Sequence, residues 1–111
     1  MVTKADVKRG HVYLVSLDPT TGREIKKTRP CVVVSPDELN AHVGTYIVAP
    51  LTTGSHAYPF RIACRFQGKA GHVVLDQIRT VDRVRLVTRL GRLSSQALEK
   101  SLHALAEMFA P

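Results

Sequence analysis

Short runs of β-branched and aromatic residues, separated by brief turns, constrain the fold of this chain more than any other feature of its sequence. The clearest strand signals cover residues 11–18, 31–35, 45–51, 60–66 and 72–79, with a weaker candidate over 84–93 and turn residues over 67–71. The long connections that a parallel α/β sheet requires are absent. The pattern therefore predicts a mainly β fold, a small barrel or sandwich.

Two helices are predicted to interrupt the strands. A short one over residues 36–42 has Ser35 as N-cap, Pro36 in its first turn and Gly44 to close it. A second is predicted over 95–109, because apolar residues recur there at spacings of four, three and four. The residues of this stripe are Leu98, Leu102, Leu105 and Phe109. We expect the second helix to pack its stripe against the strands.

Size and composition indicate one globular domain spanning residues 1–111. The chain is 44% hydrophobic and 23% charged, which excludes a disordered or membrane-embedded protein. Its apolar runs are too short to span a bilayer and its first ten residues lack a signal-peptide core, so a cytoplasmic protein with no membrane partner is expected. Sixteen Lys and Arg against nine Asp and Glu give a net charge of +7, which suits a polyanion such as nucleic acid.

The potential metal ligands do not form a site in the sequence. The two cysteines, Cys31 and Cys64, are interpreted as reduced residues packed in strands, because they are too few for a disulfide framework. The five histidines are scattered without ligand spacing: His11, His42, His56, His72 and His103. Neither a metal nor another cofactor is predicted.

The connection over residues 18–29 concentrates charge between the first two predicted strands. It places four cations around a single carboxylate, and these residues are Arg23, Glu24, Lys26, Lys27 and Arg29. A basic loop on a rigid scaffold can grip phosphates. Composition alone favours the plainer interpretation, an exposed polar hairpin loop.

Six segments in this order resemble the MazF/PemK/Kid toxin family. They are Arg-Gly-His-Val-Tyr-Leu-Val at 9–15, Asp-Pro-Thr-Thr-Gly-Arg-Glu at 18–24, Thr-Arg-Pro-Cys-Val-Val-Val-Ser at 28–35, Val-Ala-Pro-Leu-Thr-Thr at 48–53, Tyr-Pro-Phe at 58–60 and Asp-Gln-Ile-Arg-Thr-Val-Asp at 76–82. The resemblance covers nearly the whole chain. It implies a small SH3-like barrel of the CcdB/PemK type with a C-terminal helix, a homodimer, metal-free cleavage of single-stranded RNA at short sequences, and inhibition by a cognate acidic antitoxin.

Three residues match the catalytic positions of that family. Arg29 resembles the family's catalytic arginine, and its planar guanidinium suits the charge that develops on a phosphate. Glu24 is chemically the better general base, because arginine is effectively never deprotonated. Thr52 matches the active-site threonine and can offer a hydroxyl to a phosphate oxygen. The sequence leaves open whether Glu24 or Asp76 is the base.

Further residues are predicted to contact RNA on the same resemblance. They are Arg23, Lys26, Lys27, Thr53, His56, Tyr58, Asp76 and Gln77. Plainer interpretations stay open for several of them: Tyr58 can pack at the barrel edge, and Asp76 can be a buried strand carboxylate paired with Arg79. The arginines that follow Gln77 either extend an RNA track or form a solvated basic face.

Two other functions compete with an endoribonuclease. One is a CcdB-like gyrase poison, which shares this fold but depends on a C-terminal Trp-Gly-Ile, whereas this chain contains no Trp. The other is a barrel that binds RNA without cutting it. The chain also departs from the family pattern at Ile25-Lys26-Lys27, at Val74 and at His11, which replaces a common carboxylate.

Overall fold

The computed structural model describes residues 2, 3, 6–54 and 57–111. The strands in this part of the chain are β1 His11–Ser16, β2 Thr28–Val33, β3 Thr45–Thr53, β4 Arg61–Phe66, β5 Lys69–Val74, β6 Arg79–Asp82 and β7 Leu86–Arg92. The helices are α1 Asp37–Asn40 and α2 Ser95–Met108. Two 3₁₀ turns, Leu75–Gln77 and Arg83–Arg85, flank β6. The predicted combination of a mainly β fold with a C-terminal helix is confirmed.

β3 is the strand around which the sheet is organised. The strand order is β4-β5-β3-β2-β1-β7, with β6 also pairing with β3, and every pairing among the described strands is antiparallel. The first residues of β3 pair with β6, its centre with β2 and its last three residues, 51–53, with β5. One strand therefore carries three neighbours in succession.

The sheet buries apolar side chains on both of its faces. Successive residues of β1 point to opposite faces, so Tyr13 and Val15 join one core cluster while Val12 joins the other. The first cluster also includes Tyr46, and the second lies between the sheet and α2.

Helix α2 covers the second cluster through its apolar stripe. Its N-cap is Ser94, whose hydroxyl accepts a hydrogen bond of 3.2 Å from the backbone N–H of Ala97. Leu98, Leu102 and Leu105 pack against the cluster as predicted. Phe109 follows the end of the helix and is 70% exposed, so its predicted place in the stripe is wrong. Neither helix has the length and apolarity to cross a bilayer in the described part of the chain.

The predicted start of α1 is also wrong. The N-cap is Pro36, and the hydroxyl of Ser35 instead donates to Asn40 Oδ1 at 2.6 Å and accepts from the backbone N–H of Ile47 at 3.1 Å. Asn40 is fully buried, and its Nδ2 donates to the backbone carbonyl of Ser35 at 2.9 Å, so this buried carbonyl has a hydrogen-bond partner. Ser35 therefore joins α1 to β3 and does not cap the helix.

The predicted strand over residues 72–79 is two strands. A 3₁₀ turn at Leu75–Gln77 separates β5 from β6, and Leu75 is buried while Asp76 is exposed. The interruption lets β5 pair with one end of β3 and β6 with the other. It also brings Gln77 into contact with the loop between β1 and β2.

The two cysteines match their predicted structural role. Both are free thiols, and Cys31 lies in the first core cluster. Burial raises the pKa of the Cys31 thiol to about 12. It therefore behaves as a small apolar side chain.

Candidate active site

The loop over residues 17–27, between β1 and β2, is held at its base by backbone hydrogen bonds and arginines. The N–H of Leu17 donates to the carbonyl of Lys27 at 2.9 Å, which closes the loop. Arg79 Nη1 donates to the carbonyl of Leu17 at 3.0 Å, and Arg85 Nη1 to that of Asp18 at 2.8 Å. These two arginines anchor the loop, a role that sequence reasoning missed.

Glu24 is exposed, and it is fixed within a tight turn of this loop. Its backbone N–H donates to the carbonyl of Thr21 at 3.2 Å, while its Oε1 accepts from the N–H of Thr21 at 2.7 Å. The next residue, Ile25, is half-buried and packs its side chain against the first core cluster. The carboxylate is therefore presented from an ordered turn and not from a free loop tip.

Gln77 grips the backbone on both sides of Glu24. Its Oε1 accepts from the N–H of Ile25 at 2.6 Å, and its Nε2 donates to the carbonyl of Arg23 at 3.3 Å. The 3₁₀ turn at Leu75–Gln77 thus contacts the loop directly. Both polar ends of the Gln77 amide thus form hydrogen bonds with the loop backbone.

Arg29 lies near the start of β2 with an exposed side chain. Its Nε donates to the carbonyl of Lys26 at 3.3 Å. Among the described residues its two Nη groups have no hydrogen-bond acceptor. The end of the guanidinium can therefore receive a phosphate without first breaking a hydrogen bond to another described residue.

An open cleft of about 550 Å³ brings the three predicted catalytic residues together. Its lining includes Glu24 from the loop, Arg29 from β2 and Thr52 from β3. The other lining residues are Gly22, Arg23, Ile25, Lys26 and Thr53. A carboxylate, a guanidinium and two hydroxyls thus share one opening with two further cations. Lys27 is exposed on the same loop but does not line the cleft.

A second, larger cleft of about 690 Å³ adjoins the first and shares Arg23, Glu24 and Ile25 with it. Asp76 and Gln77 line this second cleft, together with Arg79 and apolar residues. The predicted RNA contacts that line a cleft therefore fall into two neighbouring groups. Glu24 lies at the boundary between them.

Asp76 forms an ion pair with Arg61, which sequence reasoning did not identify. Arg61 Nε donates to Oδ1 and Nη2 to Oδ2, each at 3.0 Å. The hydrogen bonds from Arg61 hold the pKa of the Asp76 carboxyl below its usual value. The alternative of a buried strand carboxylate paired with Arg79 is wrong, because Asp76 is exposed and Arg79 binds the loop.

Tyr58 contacts the arginine of this ion pair through its ring. The guanidinium carbon of Arg61 lies 4.8 Å from the centre of the Tyr58 ring, and the ring is 54% exposed. Tyr58 is not among the residues that line the two clefts. The predicted RNA contact at His56 lies outside the described residues.

Gly71 is a further residue that the sequence did not single out. It pairs with Thr53 across β3 and β5, and a Cβ built on it would overlap the carbonyl oxygen of Thr52. A glycine inside a strand often marks such a close approach of two backbones, and this is the signal that could have identified it. Gly71 thus sets the path of the strand end that carries Thr52.

The described residues contain no group of three His, Cys, Asp or Glu side chains arranged to hold a metal ion. The side chains of the clefts are instead those of acid, base and phosphate chemistry. A small, basic β fold that gathers them where β2 begins and β3 ends has the features expected of a protein that binds or cleaves nucleic acid.

Residues 8–109 match the family of PemK-like, MazF-like toxins of type II toxin-antitoxin systems, and the chain belongs to this family. It is 36% identical over 109 residues to endoribonuclease PemK of Escherichia coli, covering 93% of this chain and 82% of that protein. It is 33% identical over 100 residues to endoribonuclease toxin MazF of Escherichia coli strain K12, covering 89% and 90%.

Solved structures show the same fold. MazF (Form-I) from Deinococcus radiodurans superimposes with a TM-score of 0.80 at 27% identity, covering 91% of this chain and 94% of that one. An endoribonuclease in complex with its cognate antitoxin, from Mycobacterial species, gives 0.78 at 26% identity, covering 94% and 96%. The predicted family resemblance and fold class are confirmed.

Proposed function

We propose that this protein is a toxin that cleaves single-stranded RNA at specific sequences without a metal. The observation that carries the proposal is the cleft that Glu24, Arg29 and Thr52 share. The PemK and MazF relatives are named endoribonucleases, which favours RNA cleavage over the gyrase-poisoning alternative. The site supplies each group that metal-free cleavage of RNA needs.

The reaction uses the substrate's own 2′-hydroxyl as nucleophile. Glu24 accepts the proton of the 2′-hydroxyl while the 2′-oxygen forms a bond with the adjacent phosphorus. The bond from phosphorus to the 5′-oxygen then breaks, leaving a 2′,3′-cyclic phosphate on one product and, after protonation, a 5′-hydroxyl on the other. Phosphorus gains one oxygen in the first step and loses one in the second, so its number of bonds is the same before and after the reaction. The 5′-oxygen takes a proton from water, and protonated Glu24 returns its proton to water. The nucleophile is part of the substrate, so no external nucleophile takes part.

Arg29 and Thr52 stabilise the charge that this reaction develops. The Nη groups of Arg29 donate to the phosphoryl oxygens and the departing 5′-oxygen, where negative charge is greatest in the transition state. The Thr52 hydroxyl donates to a phosphoryl oxygen, with Thr53 beside it at the exposed end of β3. The three side chains come from different elements, so the fold and not the local sequence sets their spacing.

RNA binding extends beyond the reacting phosphate. Arg23 and Lys26 line the catalytic cleft and neutralise flanking phosphates, and Lys27 adds to the attraction from the same loop. The adjoining cleft, with Asp76 at its wall, has both polar and apolar lining suited to an unstacked base. The sequence preference of cleavage arises from the contacts made there.

The test is cleavage of a mixed-sequence RNA by the purified protein in EDTA. We expect cleavage at defined sites with cyclic phosphate ends. The matched control is an oligonucleotide whose cleavage-site ribose is replaced by 2′-deoxyribose, which should bind but stay intact. Undiminished cleavage of this control would eliminate the mechanism. Tight RNA binding without cleavage would identify the non-catalytic RNA-binding barrel instead.

The partners in this proposal are an acidic antitoxin and a second copy of the chain. A structural neighbour forms a complex with its cognate antitoxin. The +7 charge of this chain favours an acidic, flexible antitoxin segment across the same basic loop.

A two-fold homodimer gives so small a fold more buried surface and is the commonest closed assembly. Sedimentation that shows an active monomer at micromolar concentration would contradict the dimer.

A further inference from the structure

The orientation of the Gln77 amide follows from its two backbone partners. Oε1 faces the N–H of Ile25 and Nε2 faces the carbonyl of Arg23. The reverse orientation would place a donor against a donor and an acceptor against an acceptor. The side chain thus pairs with residues 23 and 25 as a neighbouring strand would. Glu24 is the residue between the two contacts.

The turn that carries Gln77 is itself held in place. Leu75 is fully buried in the second core cluster, and the N–H of Ile78 donates to its carbonyl at 3.4 Å. Asp76 is tied to Arg61 of β4 through two hydrogen bonds. Gln77 therefore extends from a fixed base, while Glu24 lies on a loop anchored at its start by Arg79 and Arg85.

We propose that Gln77 is a positioning residue for RNA cleavage, which holds Glu24 at the reacting 2′-hydroxyl by clamping the backbone on either side of it. The inference rests on the function proposed above. It replaces the expectation that Gln77 contacts RNA, because the polar ends of its amide already bind the loop. Gln77, which lines the larger cleft, thereby positions the Glu24 carboxylate, which lines the smaller cleft.

The consequence lies in the rate of the chemical step. A general base has to lie within hydrogen-bond reach of its proton, and a displacement of about 1 Å can cost about 100-fold in rate. Without the clamp, Glu24 keeps its turn with Thr21 and Ile25 keeps its packing on the core, but the backbone on either side of Glu24 loses its two hydrogen bonds to the 3₁₀ turn. We expect kcat to fall while KM changes little, since Arg23, Lys26 and Arg29 still bind the phosphates.

The experiment is a double-mutant cycle of Gln77→Met and Glu24→Gln, measured by single-turnover cleavage of one RNA. Methionine has nearly the shape of glutamine but cannot form either hydrogen bond. We expect Gln77→Met to lower the rate about 10–100-fold in the wild-type background. In the Glu24→Gln background it should lower the rate less than about twofold, because two residues that act as one unit are not additive.

Two further variants separate the clamp from other roles. Gln77→Asn keeps the amide but is one methylene shorter, so it cannot span both backbone contacts and should behave like Gln77→Met; if it retains the wild-type rate, a direct polar contact with RNA replaces the clamp. Gln96→Met makes the same chemical change on the exposed first turn of α2 and should leave the rate unchanged.

Amide hydrogen exchange supplies a readout that does not depend on activity. The N–H of Ile25 should exchange slowly in the wild type and in Gln96→Met, and faster in both Gln77 variants. Unchanged exchange at Ile25, or full multiplication of the two losses in the cycle, would overturn the inference. A wild-type protein that leaves RNA intact would instead overturn the proposed function, whatever the exchange at Ile25 shows.

Discussion

Arg61 and Asp76 form a two-pronged ion pair, with Nε to Oδ1 and Nη2 to Oδ2 both at 3.0 Å. The guanidinium lowers the pKa of Asp76 and so makes it a weaker proton acceptor. The pair also occupies both carboxylate oxygens. The geometry therefore favours Glu24 over Asp76 as the base, a choice that the sequence left open.

The two carboxylates can be compared by matched amide substitutions. Glu24→Gln should slow cleavage about 10²–10⁴-fold across the pH range, because the base is lost. Asp76→Asn should slow it less than about tenfold, since the residue then acts only through the turn that it stabilises. Single-turnover rates at several pH values provide the measurement. A larger loss for Asp76→Asn than for Glu24→Gln would reverse the assignment.

Arg29→Ala should reduce cleavage about 10²–10³-fold or more, the loss typical of a removed transition-state donor. Its side chain is exposed, so the free energy of unfolding should change by no more than about 0.5 kcal/mol. Arg29→Lys keeps the charge without the planar fork, so its cleavage rate should lie between those of the wild type and Arg29→Ala. Equal rates for Arg29→Lys and wild type would show that charge alone is needed.

RNA and an acidic antitoxin peptide should compete for the basic loop. We expect Lys26→Glu with Lys27→Glu to weaken both associations, and both to weaken further with added salt. Lys8→Glu with Lys100→Glu makes the same change in net charge at exposed positions outside the two clefts and serves as the control. Titration of Arg29→Ala protein with labelled RNA and peptide decides the matter, because simultaneous binding at unchanged affinity would exclude a shared site.

Gly71→Ala should destabilise the fold by about 3 kcal/mol, because the new methyl group overlaps the Thr52 carbonyl and strand backbone cannot give way cheaply. Cleavage should fall as well, since the end of β3 has to move. Gly68→Ala is the control: it lies in an open turn with φ +77°, where the left-handed conformation costs about 1–2 kcal/mol. Urea denaturation of both variants gives the comparison.

His11 makes stability depend on pH. Burial and the nearby Arg89 and Arg92 lower its pKa in the folded protein, and its Nδ1 accepts from the N–H of Lys8 at 3.3 Å. The unfolded chain takes up this proton near pH 6.5, before the folded chain does. Stability should thus be lost as the pH falls below about 6.5, and the loss should level off below the folded pKa.

His11→Gln tests this dependence, because it keeps a polar group that does not titrate. The free energy of unfolding of wild type and variant should run parallel above pH 7 and diverge below it, with the wild type losing more. Parallel curves down to pH 5 would assign the dependence to other groups.

The sequence predicted the elements whose signal is local. Short runs of β-branched and aromatic residues identified the strands, and the leucine spacing of α2 identified the face that packs on the core. The break between β5 and β6 was missed, because residues 72–79 are continuously strand-like. It arises from pairing with opposite ends of β3 and from Gln77 meeting a backbone 52 positions away.

The candidate site was predictable only where a family resemblance supplied it. Nothing local places Glu24, Arg29 and Thr52 in one cleft, because their meeting depends on how β3 pairs with β2 and β5. Arg61 and Asp76 are 15 positions apart, and their contact depends on the register of β4 against β5. The anchoring roles of Arg79 and Arg85 were missed, because an arginine in a basic chain is first interpreted as a solvent-exposed residue or an RNA contact.

Because β3 pairs with three strands in succession, the side of the cleft that carries Thr52 should open less often than the side that carries Glu24. Thr52 lies in the strand that β2, β5 and β6 share, so this wall opens only when sheet pairing is lost. The loop that carries Glu24 is held by one closing backbone hydrogen bond, the packing of Ile25 and a few side-chain hydrogen bonds, so it can detach without loss of the sheet. A protease that nicks the loop would therefore leave a folded remnant that still displays Thr52, whereas one that cuts β3 would first have to wait for sheet pairing to be lost.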